Sequence, residues 1–134
     1  MIKPVDEIPM NLNEKRQAYG DKIREDIREA MRLGVTKFEF VGDYNFKTLA
    51  QTAREEANHF TMTMVRNWLK DNPGYNTRDF AWGDVLKFGI IKIHSVKGDT
   101  PETRRVFCEI NLNTGEIIKA YAEKRAEARR LARK

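Results

Sequence analysis

Four groups of side chains in this sequence have the chemistry to act on a partner, and each needs a different setting. Cys108 is the single thiol. A thiol attacks a substrate only as an accessible thiolate beside a base. The residues that share its phase, Val106, Ile110 and Leu112, are apolar, so a buried cysteine behaving as a small hydrophobe is expected. Glu55 and His59 stand one helical turn apart and can reach a common metal ion, but a held ion takes about four ligands. His94 falls in a predicted strand with no partner at a fixed spacing, and no metal or cofactor is expected. Asp84, Asp99, Glu109 and Glu116 lie in or beside predicted strands, where carboxylates converging with a lysine would make a metal-dependent nuclease. Their order follows no nuclease motif, and acids at strand ends and turns ordinarily face water. Neither Gly-x-x-x-x-Gly-Lys nor Gly-x-Gly-x-x-Gly occurs, so no loop is predicted to cradle a nucleotide, and no small-molecule substrate is evident.

The fourth group is cationic. The chain carries 25 Lys and Arg against 20 Asp and Glu, a net charge of +5. Lys119, Lys124, Arg125, Arg129, Arg130, Arg133 and Lys134 oppose only Glu123 and Glu127, so residues 119–134 carry the whole excess and residues 1–118 sum to zero. On a helix Arg125, Arg129 and Arg133 align at four-residue spacing, with the other four spread around them. Such a segment attracts phosphate backbones, acidic protein patches or anionic lipid, and phosphate binding of this kind falls steeply with salt. Arg104 and Arg105 enlarge the patch if the fold sets them alongside. The bland alternative is a solvated terminal helix that keeps the chain soluble.

These groups need a scaffold, and the composition permits one. With 134 residues, 40% hydrophobic and 34% charged, the chain suits a single domain over 1–134 and is too apolar for wholesale disorder. No apolar run approaches the roughly 20 residues of a membrane span. The first ten residues are broken by Pro4, Asp6, Glu7 and Pro9, unlike a signal peptide, and one cysteine forms no internal disulfide; a cytoplasmic protein without a membrane partner is expected.

Residues 1–12 read as an extended arm packing through Ile2, Val5, Ile8 and Met10, with Asn11 or Asn13 capping the helix that follows. From Glu14 to Leu33, Tyr19, Ile23, Ile27, Ala30 and Met31 recur at helical spacing, and Gly34 supplies the stop. Val35 to Val41 predicts a strand with Phe38 and Phe40 on one face and Lys37 and Glu39 on the other; its place at a sheet edge is the least determined feature of the fold. Asn45 caps a long helix from Phe46 to about Lys70 whose stripe is Leu49, Ala50, Ala53, Ala57, Phe60, Met64 and Trp68. Asn72-Pro73-Gly74 ends it.

The loop from Tyr75 to Asp84 holds Phe80 and Trp82, which either plug one end of the core or join Tyr75 as an exposed protein-contact patch. Beyond it three antiparallel strands are expected: Val85 to Val96 with a bulge at Gly89, Arg104 to Leu112, and, after an Asn113-Thr114-Gly115 hairpin, Glu116 to about Tyr121. A final helix from Tyr121 to Lys134 is anchored by Ala128, Leu131 and Ala132, and a continuous helix from Glu116 is the alternative. The expected fold is α+β, ordered α-β-α-β-β-β-α, with an antiparallel sheet packed on the long helix.

Residues 46–134 thus run helix, three strands, helix. The segment Val106-Phe107-Cys108-Glu109-Ile110 and the Glu127-Ala128-Arg129 of a basic, Ala-rich last helix resemble a double-stranded-RNA-binding domain. The resemblance implies phosphate contacts across a duplex groove by the start of that helix, at Lys124 and Arg125. It is one of order and composition: Glu116-Ile117-Ile118-Lys119 replaces the family's glycine-rich strand, the basic cluster is shifted by about one residue, and an extra helix and strand precede.

Together these features point to a small non-enzymatic protein that binds nucleic acid, RNA or a ribonucleoprotein first, through phosphate contacts of its basic C-terminal helix. The alternative is a protein-directed inhibitor or adaptor of a nucleic-acid-handling enzyme, such as a phage or mobile-element anti-CRISPR protein. A metal-dependent nuclease is the third reading. Oligomeric state is open at this level.

Overall fold

The computed structural model describes residues 12–42, 44, 46–100 and 103–133. Helix α1 spans Leu12–Leu33 and buries Ile23, Ile27 and Ala30 on one face. It ends as its glycine dictates. Gly34 takes φ +71°, the Val35 N–H reaches back to the Ala30 carbonyl at 2.8 Å, and the Gly34 N–H reaches Met31 at 3.2 Å, which together satisfy the last carbonyls of the helix. Strand β1 (Lys37–Glu39) follows, then helix α2 (Phe46–Asp71). Asn72 closes α2 by donating its side-chain amide to the Trp68 carbonyl at 2.8 Å, just before Pro73.

The buried seam of α2 matches the expected stripe at Leu49, Ala50, Ala53 and Ala57, then continues through Thr61, Val65 and Leu69. Phe60, Met64 and Trp68 flank it, half-buried. Thr61 disguises this path because it is polar in the sequence, yet its hydroxyl donates to the Ala57 carbonyl at 3.0 Å and needs no other partner.

A 3-10 turn (Thr77–Asp79), the short helix α3 (Trp82–Val85), strands β2 (Ile91–Val96) and β3 (Arg105–Ile110), and helix α4 (Thr114–Ala132) complete the chain. The sheet is antiparallel with order β1-β3-β2, so β3 is central and β1 is an edge. Phe38 and Ile93 both face Cys108 across the ladders, and Val106, Cys108 and Ile110 lie fully buried on the same face. The opposite face carries Lys37, Glu39, Lys92, His94, Arg105, Phe107 and Glu109, as strand alternation requires. Burial pushes the Cys108 thiol up to about 12, which keeps it protonated.

Two hydrophobic clusters meet along α2. One joins α1, the first half of α2 and the sheet; the other joins Val65 and Leu69 to Phe80, Val85, Ile90, Ile118 and Ala122. The α+β class and the antiparallel sheet on the long helix stand as expected.

Five local expectations are corrected. Glu116 to Tyr121 is not a strand but part of a continuous α4, and Asn113-Thr114-Gly115 opens that helix instead of turning a hairpin. Ile117, Ile118, Tyr121 and Ala122 favour strand or helix alike by residue type, but their one- and four-residue spacing puts them on one helical face against Phe80, Val85 and Ile90. Nor do Val85 to Phe88 belong to β2; they turn through α3 and two further backbone bonds. Gly89 makes no bulge, since it sits before β2 at φ +70° and the β2–β3 register is unbroken. Ala128, Leu131 and Ala132 are exposed, so the distal half of α4 is held otherwise. Finally, of the arm expected over residues 1–12, only Leu12 is described, and it already belongs to α1, so Asn13 lies inside the helix and is not its cap; Asn11 and Asn45 lie outside the described residues.

Candidate nucleic-acid interface

What holds the distal half of α4 is its arginines. Helical spacing sets Arg125 and Arg129 on the face that continues Ile118 and Ala122, and that face meets the 3-10 turn after α2. Arg125 donates from Nε to the Asp79 carbonyl at 2.9 Å, and Arg129 pairs with the Asp79 carboxylate. Asp79 is 13% exposed and Arg129 33%, so this ion pair is largely withdrawn from water. The sequence signal was present: an arginine aligned with a buried apolar face needs a partner. The partner stands 50 residues away and no local pattern names it.

The remaining basic residues fall into two sets. Arg130 pairs with Glu127, and Lys119 lies 3.9 Å from Glu123, both on the exposed outer face. Lys124 and Arg133 have no side-chain partner among the described residues, and Lys134 lies outside them. Arg133 joins Arg129 in lining a polar groove of about 480 Å3 whose other wall is the 73–77 turn. In that turn the Asn76 side chain accepts the Arg78 N–H at 2.9 Å, while Arg78 itself is exposed. The groove is therefore composite: Arg129 and Arg133 from the end of α4 face the backbone and side chains of residues 73–77.

Arg105 is committed to another surface. Arg105 holds Glu39 across the sheet through two bonds of 2.8 Å and lies over the Phe107 ring, 4.9 Å from its centroid. The Arg105 hydrogen bond holds the Glu39 carboxyl below the usual carboxylate range. Among the described residues no hydrogen bond or ion pair joins Arg104 or Arg105 to α4.

The candidate protein-contact aromatics are mostly spent on packing. Phe80 is buried against Tyr121, with ring centroids 5.1 Å apart. Tyr75 stacks at a tilt on Trp68 at 5.1 Å, and Trp82 lies half-buried under Arg66, 5.1 Å from its guanidinium. Tyr121 fixes this end further, donating to Asp84 and accepting from the Ala81 N–H, both at 3.1 Å. The core plug is therefore what the structure shows for Phe80.

The acids considered for metal chemistry are dispersed. Asp84 serves Tyr121, and Glu109 meets His94 at 3.1 Å on the open sheet face. Among the described residues no three of His, Cys, Asp and Glu gather closely enough to hold a metal ion. His59 is exposed on α2, and Glu55 accepts from Gln51 at 3.2 Å. No helix among the described residues is long and apolar enough to cross a membrane. No protein-family model, no curated protein and no solved structure matches the chain.

Proposed function

We propose that this chain binds nucleic acid through its phosphate backbone, using the distal end of α4 and the 73–78 turn beside it, without catalysis. The observation that carries this reading is the polar groove between that turn and Arg129 and Arg133, set in the segment that holds the entire net charge of +5. Arg133 lines this groove and has no counter-ion among the described residues, and an arginine fork suits a phosphate. The contacts proposed go to phosphate and not to base edges, so binding would be broad in sequence and sensitive to salt. RNA is the substrate to try first, on the order and composition shared with duplex-RNA-binding domains.

Deleting residues 119–134 would be a poor test, because Ala122, Tyr121 and Arg129 belong to the packed structure. The decisive experiment uses the full chain and the surface variant Arg133→Glu. Binding to duplex RNA, single-stranded RNA and duplex DNA is measured by fluorescence anisotropy across a salt series. For every phosphate that the variant no longer neutralises, the plot of log affinity against log salt should flatten by about 0.7 to 0.9. A variant that binds like the parent, with the same salt slope, overturns the proposed surface; absence of binding by the folded parent overturns the function.

A further inference from the structure

A second surface lies at the far side of the molecule, at the outer edge of the sheet. The Ile110 N–H donates to the Thr36 carbonyl at 2.8 Å, and the Phe40 N–H to the Val106 carbonyl at 3.0 Å. With Phe38 opposite Cys108, these bonds turn the main-chain groups of Thr36, Phe38 and Phe40 toward β3. The main-chain groups of Lys37 and Glu39 consequently point outward, and no hydrogen bond among the described residues engages them. Beside this edge runs a shallow groove of about 250 Å3, lined by Ala30, Leu33, Val35, Phe38 and Val41 with the carboxylate residues Asp26, Glu29 and Glu39. Leu33 is 59% exposed, Val35 37% and Val41 69%, three of the seven large apolar side chains that the described structure leaves in water. An open strand edge flanked by apolar side chains is a template for another strand.

We propose that the occupant is a second copy of this chain, its β1 paired antiparallel to the first across a two-fold axis at Phe38. The sequence of the edge supports self-pairing. In this register Lys37 stands opposite the second copy's Glu39, and Glu39 opposite its Lys37. Both are residues whose main-chain groups face outward, so each pair closes two main-chain hydrogen bonds while its side chains carry opposite charges. The same register sets Val35 against the second copy's Val41, covering the most exposed apolar residue of the edge. Sliding by one hydrogen-bonding step in either direction sets Lys37 against Lys37 or Glu39 against Glu39, and like charges directly opposite destabilise a ladder. Glu39 is already held in place by Arg105, while the Lys37 side chain has no partner among the described residues. The product is a continuous sheet ordered β2-β3-β1-β1-β3-β2. Because β1 is short, with a ladder of three residues, the dimer should be weak and dependent on concentration.

Sedimentation equilibrium of the full chain over a wide concentration range tests this, with K37E, E39K, V41K and a one-to-one mixture of K37E with E39K. The parent should self-associate as a dimer. K37E and E39K alone each put like charges opposite at two places, so each should raise the dissociation constant about tenfold or more. Their mixture restores four complementary charges and should return to dimer. V41K, at a residue outside the core, should also weaken association and serves as the second variant if E39K does not fold. A parent that stays monomeric at sub-millimolar concentration overturns the proposal. So does a dimer indifferent to K37E and V41K, or a mixture no better associated than its components. RNA binding is read separately at the other end of the molecule, so failure of one proposal leaves the other standing.

Discussion

The core against the sheet closes Ile23, Ile27, Leu49, Val106 and Ile110 around the Cys108 thiol, with Phe40 and Tyr44 among them, whereas the core at the other end of α2 holds both tryptophans and is edged with arginine. Trp68, Tyr75, Phe80, Trp82, Phe88 and Tyr121 cluster there, Arg66 covers Trp82, and Arg125 and Arg129 clamp the turn that delivers Phe80. In the core against the sheet the buried residues of α1 and β3 follow the period of their own element. In the core that holds the tryptophans the 3-10 turn and α3 are joined to α4 by side-chain contacts 50 and 37 residues apart, and its structural cations overlap the residues proposed to meet phosphate. A basic residue in this chain is therefore not a binding residue merely because it is basic; its geometry divides Arg129, a clamp with one side on the groove, from Arg133, which has no side-chain partner among the described residues.

The largest effects expected are those that decide whether the two cores are one cooperative unit. Leu49→Ala in the first should cost about 2–5 kcal/mol and Phe80→Ala in the second about 3–5 kcal/mol, through reduced burial and a residual cavity. Helix α2 runs through both, so each variant should lower a single transition. The two tryptophans both lie in the core around Phe80, so their fluorescence reports that core alone while far-UV circular dichroism reports the whole fold. Coincident urea curves by the two probes are expected for parent and variants. A tryptophan transition that runs ahead of the dichroism in Phe80→Ala would separate the cores.

The same contrast explains what the sequence disclosed. Alternation named the two faces of β3, and helical spacing named Ile23, Ile27 and Ala30 on α1, because in each case burial follows the element's own period. The cationic segment is legible for the same reason, since net charge needs no geometry. Glu116 to Tyr121 misled because isoleucine and tyrosine suit a strand, and only packing on Phe80 and Ile90 makes the helical spacing decisive. The Arg129–Asp79 clamp and the withdrawal of Arg105 by Glu39 join residues 50 and 66 apart, and pairings of that span have no local signature.

Breaking the clamp is the next sharpest test, with a smaller effect. Asp79→Ala leaves the largely withdrawn Arg129 without its counter-ion, and a loss of about 1–3 kcal/mol is expected in urea unfolding. It also removes the carboxylate beside the groove. Where the fold holds, RNA binding should tighten and fall more steeply with salt. Weaker binding would instead mean that Asp79 aims the guanidinium at the phosphate, which would merge clamp and binding surface into one device.

The smallest effect comes from the outer face of α4, and it calibrates the others. Glu127 pairs with Arg130 in open solvent, three residues along the same helix. Such pairs contribute about 0.2–0.5 kcal/mol, so Glu127→Gln should hardly move the urea midpoint. It changes the net charge by one, as Asp79→Ala does, but on the side of the helix away from the groove. If the groove is the phosphate site, Glu127→Gln should raise RNA affinity less than Asp79→Ala at equal ionic strength, because screening weakens a charge at greater distance. Equal gains from the two would show that the helix acts through its overall field and that the position of Arg129 and Arg133 against the 73–77 turn is incidental.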